Sequence, residues 1–444
     1  MPARPAPRAT PWTLLGTVGA VLLGIGVLGL PAVVSIASLI VQAVFVLYFL
    51  RHLSFAMAAF RTAPLDLASP LVESDSQPSV TVMVACKNEA AVIDRLVSGL
   101  TALDYPFDLL QLIVVDDGST DGTSAALDRL ASREPILAVH RSPGAGGGKS
   151  GALNAGLAYA TGEVVIVFDA DHRPHADVVR RLVRHFEDPS VGAAQGRCEI
   201  ANTGDSPLAL LIGIDYLAGY LVNEYGRQAM YGLPAYGGAN CAVRATTLRA
   251  IGGWNTASVT EDTDLTMRVL LSGEKVRFDV TATDEEEGVT TVSRYWRQRY
   301  RWARGHQQVW RDYRRAIWRS PRLSGPQKVE ATMFLLAFHL PVLSAVGLLL
   351  AFSWLGGLAT PPFQVDLFVL WMLLFLGPLV ELGGGLLIKR ADRRWAKALF
   401  YFLPLFFVSI ALCTKAWVDG LLGREYAWVK TQRAAEAVPN QAVS

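Results

Sequence analysis

Apolar residues run almost unbroken over positions 11–50, with no charge among them. One helix needs about 20 residues to cross a bilayer. The run is long enough for two, and Pro31 near its middle predicts the turn of a transmembrane hairpin. A secretory signal peptide is shorter, and a second span would remain after its cleavage. Arg51, His52 and Arg61 follow, placing that end in the cytoplasm by the positive-inside rule. Residues 62–79, rich in Pro, Ser and Asp, read as a linker.

From residue 80 the pattern changes to strand and helix in alternation. Residues 80–85 are β-branched and apolar, a strand; Val92, Ile93, Leu96, Val97 and Leu100 then recur at helical spacing. Residues 112–115 and 136–139 repeat the strand signal. The glycine-rich stretch 144–149 opens a helix bearing Leu153 and Leu157, and residues 163–168 form a fourth strand. This order predicts an α/β domain with a doubly wound, mostly parallel sheet and right-handed crossovers. Leu210, Ile214, Leu217 and Leu221, rimmed by Tyr216, Tyr220 and Tyr225, keep helical spacing, in the core or on a membrane surface. Residues 293–319 carry nine arginines against one acid, Asp312, with Trp296, Tyr300, Trp302, Trp310 and Trp318 interleaved. Such a mix predicts an amphipathic helix at headgroup level. Nucleic acid is the alternative, set aside because a membrane span follows at once.

Three more apolar runs cover 331–355, 365–388 and 398–417. Glu381 lies inside the second, and an intramembrane acid is expected to face the protein interior. Lys389, Arg390, Arg393, Arg394 and Lys397 mark a cytoplasmic loop. Five crossings would leave the C-terminus outside, whereas Arg424, Lys430 and Arg433 argue for inside; the last run is then re-entrant or surface-bound, or a crossing is miscounted. The expected organisation is a hairpin over 1–61, a linker over 62–79, an α/β domain over 80–292, interfacial helices over 293–330 and a membrane region over 331–444.

Composition agrees with membrane segments: 51% of the 444 residues are hydrophobic. A net charge of +2 offers no general case for nucleic acid. Cys86, Cys198, Cys241 and Cys413 stand singly, so neither a zinc site nor a disulfide framework is indicated. They read as core residues in a reducing compartment.

The strand over 163–168 delivers Asp169 and Asp171 at its carboxyl end, where open α/β sheets bind ligands. Alone, this is also what a solvated turn looks like. Two carboxylates so close repel unless a cation lies between them, and hard oxygens suit Mg2+ or Mn2+. Asn88 and Glu89 end the first strand, Asp116 and Asp117 the second. Three polar pairs along one sheet edge predict a nucleotide crevice, since carboxylates accept from ribose hydroxyls. Pro143 stands where a phosphate-binding P-loop needs glycine, which excludes an ATPase of that type. Lys149 remains a point charge for substrate oxygens or an exposed loop lysine. The turn 236–240, with Gly238 and Asn240, lets backbone approach a ligand. Glu261, Asp262 and Asp264 open a helix; the helix dipole alone would favour them there, while Asp262 facing the crevice would serve as a general base.

Taken in order, Lys87-Asn88-Glu89, Asp116-Asp117-Gly118-Ser119, Lys149 before Ala152-Leu153-Asn154, Asp169-Ala170-Asp171, Thr260-Glu261-Asp262 and Gln298-Arg299-Tyr300-Arg301-Trp302 resemble the membrane-embedded family 2 glycosyltransferases. These include cellulose, hyaluronan and poly-N-acetylglucosamine synthases. The resemblance covers about residues 80–310 closely and implies a GT-A fold flanked by transmembrane helices. It implies that Asn88, Glu89, Asp116, Asp117, Lys149, Asp169, Gln298 and Arg301 hold a UDP-sugar, with Asp169 and Asp171 on Mg2+ or Mn2+. Asp262, beside Glu261, would be the base, and Trp302, Gly238 and Asn240 would line the acceptor site. Three departures stand out: Ala239 replaces a cysteine of the cellulose synthases, no F-x-V-T follows Trp302, and no regulatory domain is expected after the membrane region. Residues 428–433 look more like the poly-N-acetylglucosamine group.

The expected activity is a processive, inverting polymerase that extends a polysaccharide from UDP-GlcNAc or UDP-glucose and passes it through a plasma (inner) membrane, its catalytic domain cytoplasmic. The alternatives are transfer of one or a few sugars to a lipid, giving a glycolipid, and a silent scaffold or transport subunit. Partners are the donor, the acceptor and the bilayer, with room for accessory membrane or export proteins; nucleic acid is not among them.

Overall fold

The computed structural model describes residues 22–71, 77–357 and 366–424, with the side chains of 366–375 excepted. The start of the expected hairpin and residues 428–433 lie outside them. Residues 22–28 are helical, Gly29 turns the chain with φ 82°, and Pro31 opens the helix Leu30–Leu67. That helix runs past Arg61 into the segment expected as linker, through Pro64. Packing explains the extension: Ala59 and Ala63 are fully buried against Leu217, Leu221 and Tyr225, and the Tyr225 hydroxyl donates to Thr62 Oγ1 at 2.9 Å.

The centre is an eight-stranded sheet in the order β3-β2-β1-β4-β7-β6-β8-β5. The strands are β1 (Val80–Cys86), β2 (Leu110–Asp116), β3 (Ile136–His140), β4 (Val164–Asp169), β5 (Arg173–Pro174), β6 (Val191–Ile200), β7 (Cys241–Arg244) and β8 (Lys275–Glu286). β1 to β4 pair in parallel, β7 runs antiparallel between β4 and β6, and β5 runs antiparallel to β8. β4 shows why these residues make a central strand. Successive side chains point to opposite faces. Val164, Ile166 and Phe168 enter one core with the helices Ile93–Thr101 and Val178–Val183; Val165 and Val167 enter the other with Gly148–Leu157 and Glu261–Ser272. An alternating strand buried on both faces has only its carboxyl end, Asp169, left for chemistry.

The arginine-rich segment is one helix, Val292–Arg319, capped by the Thr291 side chain. Among the described residues three helical stretches are long and apolar enough to cross a membrane: Leu30–Leu67, Gly325–Leu355 and Arg393–Leu421. A further helix, Asp366–Lys389, contains Pro378. The segment after Ser206 is helical over Pro207–Ala218, winds wider over Gly219–Glu224, and resumes over Tyr225–Tyr231. It packs against the helices Leu30–Leu67 and Asp366–Lys389, between the sheet and the membrane helices.

Candidate active site

The carboxyl ends of β1 and β4, the turn 237–239 and the start of the helix Glu261–Ser272 converge on one cavity of about 680 Å³. Glu89, Asp117, Lys149, Asp169, Asp171, Gly238, Glu261, Asp262, Gln298, Arg301 and Trp302 all line it. Residues up to 213 positions apart in the chain thus meet, because they sit at strand ends, at helix starts or in the turn 237–239, or on the helix Val292–Arg319 packed beside them.

Lys149 lies at the centre. Its Nζ is 2.5 Å from Asp169 Oδ1 and 3.6 Å from Glu261 Oε1, and it donates to the Gly238 carbonyl at 2.9 Å. Burial opposes its charge, yet Asp169 and Glu261 outweigh burial and hold its pKa above the ordinary lysine value. Asp169 is correspondingly held below the usual carboxylate range, against burial, by Lys149. Asp262 behaves differently. Burial and then the charge of Glu261 push it up to about 6. Its Oδ1 accepts from the Thr263 amide at 2.6 Å. Gly238, at φ 81°, leaves room for it: a Cβ there would stand 3.1 Å from Asp262 Oδ2.

The helix Val292–Arg319 brings in Gln298, Arg301 and Trp302. The charge of Arg301 reaches both Asp169 and Asp262. Gln298 Oε1 is buried without a hydrogen-bond partner, an acceptor open to a ligand. The Arg299 guanidinium lies 4.4 Å from the Trp302 ring centroid and pairs with Asp215, fixing the indole. The helix can approach because position 305 is glycine: a Cβ there would stand 2.2 Å from Thr260 Cγ2, beside Glu261 and Asp262.

Three expected site residues lie elsewhere. Asn88 does not line the cavity; its Oδ1 accepts from the Thr120 amide at 2.8 Å, and at φ 54° it shapes the turn beside β2. Asp116 is 1% exposed, its carboxylate taken by Ser119, Ser124 and His140. β2 alternates faces, so only its neighbour Asp117 reaches the crevice, held by Arg141 and with Lys87 Nζ 3.6 Å away. Asn240 is fully buried, its Nδ2 donating to the carbonyls of Arg197 and Ala282 at 3.1 and 3.0 Å. It joins β6 to β8 rather than meeting an acceptor.

Other residues carry weight that sequence reasoning did not assign. Arg141 ties Asp117 to the glycine-rich loop, its Nη2 donating to the Gly146 carbonyl at 2.7 Å. His172, directly after Asp171, is buried between carboxylates: Nδ1 meets Asp284, and Nε2 is 3.0 Å from Glu286. Burial opposes its charge, but Asp284 holds its pKa well above the ordinary value. His172, Cys198 and Asp284 gather within 4.8 Å of one another. Burial and the charges of Glu286 and Asp284 raise the Cys198 thiol well above its ordinary pKa, and the pairing of His172 with Asp284 ties the residue after Asp171 to β8. Its signal was the histidine beside the paired aspartates; nothing in the sequence marked Asp284 as its partner.

Asp169 and Asp171 offer hard carboxylate oxygens at the cavity wall, a donor set that fits Mg2+ or Mn2+.

A family model for glycosyl transferase family 2 matches residues 81–251. Similar relatives include a beta-monoglucosyldiacylglycerol synthase of Synechocystis sp., 41% identical over 305 residues, covering 67% of this chain and 63% of the relative. A poly-beta-1,6-N-acetyl-D-glucosamine synthase of Staphylococcus aureus is 26% identical over 246 residues, covering 55% of this chain and 58% of the relative. The chain thus spans less than two thirds of either relative's length. Among solved structures, the mannosyltransferase PcManGT of Pyrobaculum calidifontis, in complex with GDP-Man and Mn2+, superposes with a TM-score of 0.59 at 21% identity, covering 87% of this chain and all of that one, which shows the GT-A fold. With the motifs that line the cavity, these matches show that residues 81–251 form a glycosyl transferase family 2 domain.

Proposed function

We propose that this protein transfers one sugar from a UDP-sugar to a hydroxyl of a membrane lipid. The observation that carries the reading is the course of the cavity. It starts at Asp169 and Asp262 and continues to Tyr48, Phe338 and Leu340, on helices long and apolar enough to cross a membrane. An acceptor held by its tails in the bilayer could place its head beside the base without leaving the lipid. The similarity to beta-monoglucosyldiacylglycerol synthases supports the same acceptor class and a glucosyl donor. The polymerase expected from the Gln298-to-Trp302 motif is the second reading; it rests on the more distant relative.

The chemistry follows from the groups present. Asp262 takes the proton of the acceptor hydroxyl, whose oxygen forms a bond to the anomeric carbon. The bond from that carbon to the diphosphate breaks, and UDP leaves with the electron pair. Attack from the face opposite UDP inverts the centre and yields a β linkage. Lys149 and Arg301 stabilise the charge that develops on the diphosphate, worth most in a site screened from water. Asp169 and Asp171 would hold Mg2+ or Mn2+, which when bound neutralises the same diphosphate. Lys149 keeps Asp169 ionised for that role. Trp302 offers a flat apolar face to the sugar ring.

The test uses purified protein in nanodiscs containing diacylglycerol, with UDP-[14C]glucose or UDP-[14C]GlcNAc and Mn2+. Label extracted into chloroform as a single glycolipid is expected. Label in a high-molecular-weight polymer, or no transfer from any UDP-sugar, would overturn the reading.

A further inference from the structure

A second cavity, of about 220 Å³, lies among the helices beside the catalytic one. Leu211 and Ile212 of the helix Pro207–Ala218, with Pro341, Leu382, Leu405 and Leu412, form its apolar wall. Ile212 is 2% exposed and Leu412 0%, so the space lies inside the helix packing. On the helix Phe402–Leu421, Leu403 at 47% and Phe407 at 43% point outward instead. The two cavities share Asp215, Arg299, Ala337 and Phe338. Arg299 also stands against Trp302, so the junction lies beside the indole expected at the acceptor.

The polar groups on this wall are nearly all taken. Ser409 donates to the Leu405 carbonyl at 3.0 Å, so the Tyr295 hydroxyl, 3.1 Å away, is the donor to Ser409. Asp215 accepts from Arg299. Among the described residues lining this cavity, Arg299 Nε is the one buried side-chain polar atom without a hydrogen-bond partner, and Arg299 stands at the junction. A wall of this kind stays dry, because an ordered water needs about two to four polar partners. It refuses a sugar chain for the same reason, since the hydroxyls would be buried unpaired. An acyl chain leaves nothing unpaired, and its methylenes gain packing contacts that a void withholds.

A diacylglycerol has a single hydroxyl, which belongs at Asp262 in the reaction above; its remaining parts are esters and acyl chains. We propose that one acyl chain of the acceptor leaves the bilayer and enters this second cavity, its ester passing Arg299. A guanidinium only donates, which suits an ester carbonyl that only accepts. The lipid is then held at both ends, its hydroxyl at the base and its chain between the helices Pro207–Ala218 and Phe402–Leu421. The inference rests on the lipid-acceptor reading and adds a tail site whose inner wall, Ile212, Leu405 and Leu412, has no part in the catalytic cavity.

The experiment photolabels the whole chain, in phosphatidylcholine nanodiscs, with a diacylglycerol that carries a diazirine near the end of one acyl chain. Mass spectrometry maps the adducts. Label is expected on Ile212, Leu405 and Leu412; excess dioleoylglycerol should displace it and added phosphatidylcholine should not. Leu405→Trp, which fills the cavity, should raise the KM for dioleoylglycerol by about tenfold. The KM for UDP-glucose should stay as in the wild type, which also reports a folded protein. Should that variant not fold, the adduct map decides alone. Adducts confined to the outward Leu403 and Phe407, displacement by phosphatidylcholine as readily as by dioleoylglycerol, or an unchanged lipid KM in folded Leu405→Trp would overturn the tail site with lipid transfer intact. Transfer to no lipid would overturn the acceptor reading as well.

Discussion

A carboxylate that accepts a proton in the transition state works best with a pKa near the operating pH. Asp262 reaches about 6 because burial and Glu261 both oppose its charge. Below that value it holds a proton and cannot act as base; above it, it is ionised. The kcat/KM for transfer should therefore climb about tenfold per pH unit up to roughly 6 and then level off, as read from initial rates of UDP release. Asp262→Asn keeps the shape but cannot take the proton, and transfer should fall by about 10²–10⁴-fold with UDP binding retained. Neighbouring acids show where single residues are hard to read from sequence. Asp116 and Asp117 look alike on paper. The pleat turns one into a cap of hydroxyls and the other into the crevice.

The helix Val292–Arg319 was visible in its spacing of arginine and tryptophan, while the place of Gln298, Arg301 and Trp302 at the cavity was expected only from the family resemblance. Its glycine was not. In a free helix Gly305→Ala should gain about 1 kcal/mol from propensity alone. Here the added Cβ would stand 2.2 Å from Thr260 Cγ2, and overpacking costs about 1–3 kcal/mol. We expect Gly305→Ala to lower the melting temperature in detergent and to reduce transfer by shifting Glu261 and Asp262; a raised melting temperature with full activity would contradict this. β6 escaped sequence reading for a related reason. Gln195 and Arg197 are buried in it, so it does not alternate apolar with polar, whereas β8 does alternate over residues 275–282 and still buries Asp279 and Asp284. Partners supplied by other elements, such as the Val280 carbonyl for Arg197 and His172 for Asp284, make those polar residues tolerable inside.

The catalytic domain and the membrane helices meet through Glu330, which is 1% exposed and holds Arg51 of one membrane helix and Arg227 beside the sheet. Removing one member of a buried ion cluster strands the others, at about 3–5 kcal/mol. Glu330→Ala should lose thermal stability on that order, measured by unfolding in detergent, and lose transfer together with it. Chelation tests the other end of the cavity. EDTA should abolish transfer, and Mn2+ or Mg2+ should restore it, if Asp169 and Asp171 hold the cation; transfer persisting in EDTA would remove metal from the scheme.

The order of the first four strands and their helices, the paired aspartates and the apolar runs long enough to cross a membrane were legible because they depend on local periodicity and on chemistry at strand ends. Those properties belong to short stretches of chain and survive without knowing the neighbours. The acceptor was legible only as a choice between a growing polysaccharide and a lipid. The motif from Gln298 to Trp302 pointed to a polymer, whereas the cavity opens toward Asn223, Arg227 and Glu381 on three separate elements. Charge balance among residues 52, 223, 227, 330 and 381 exists only once packing has brought them within hydrogen-bond reach, and no spacing along the chain encodes it.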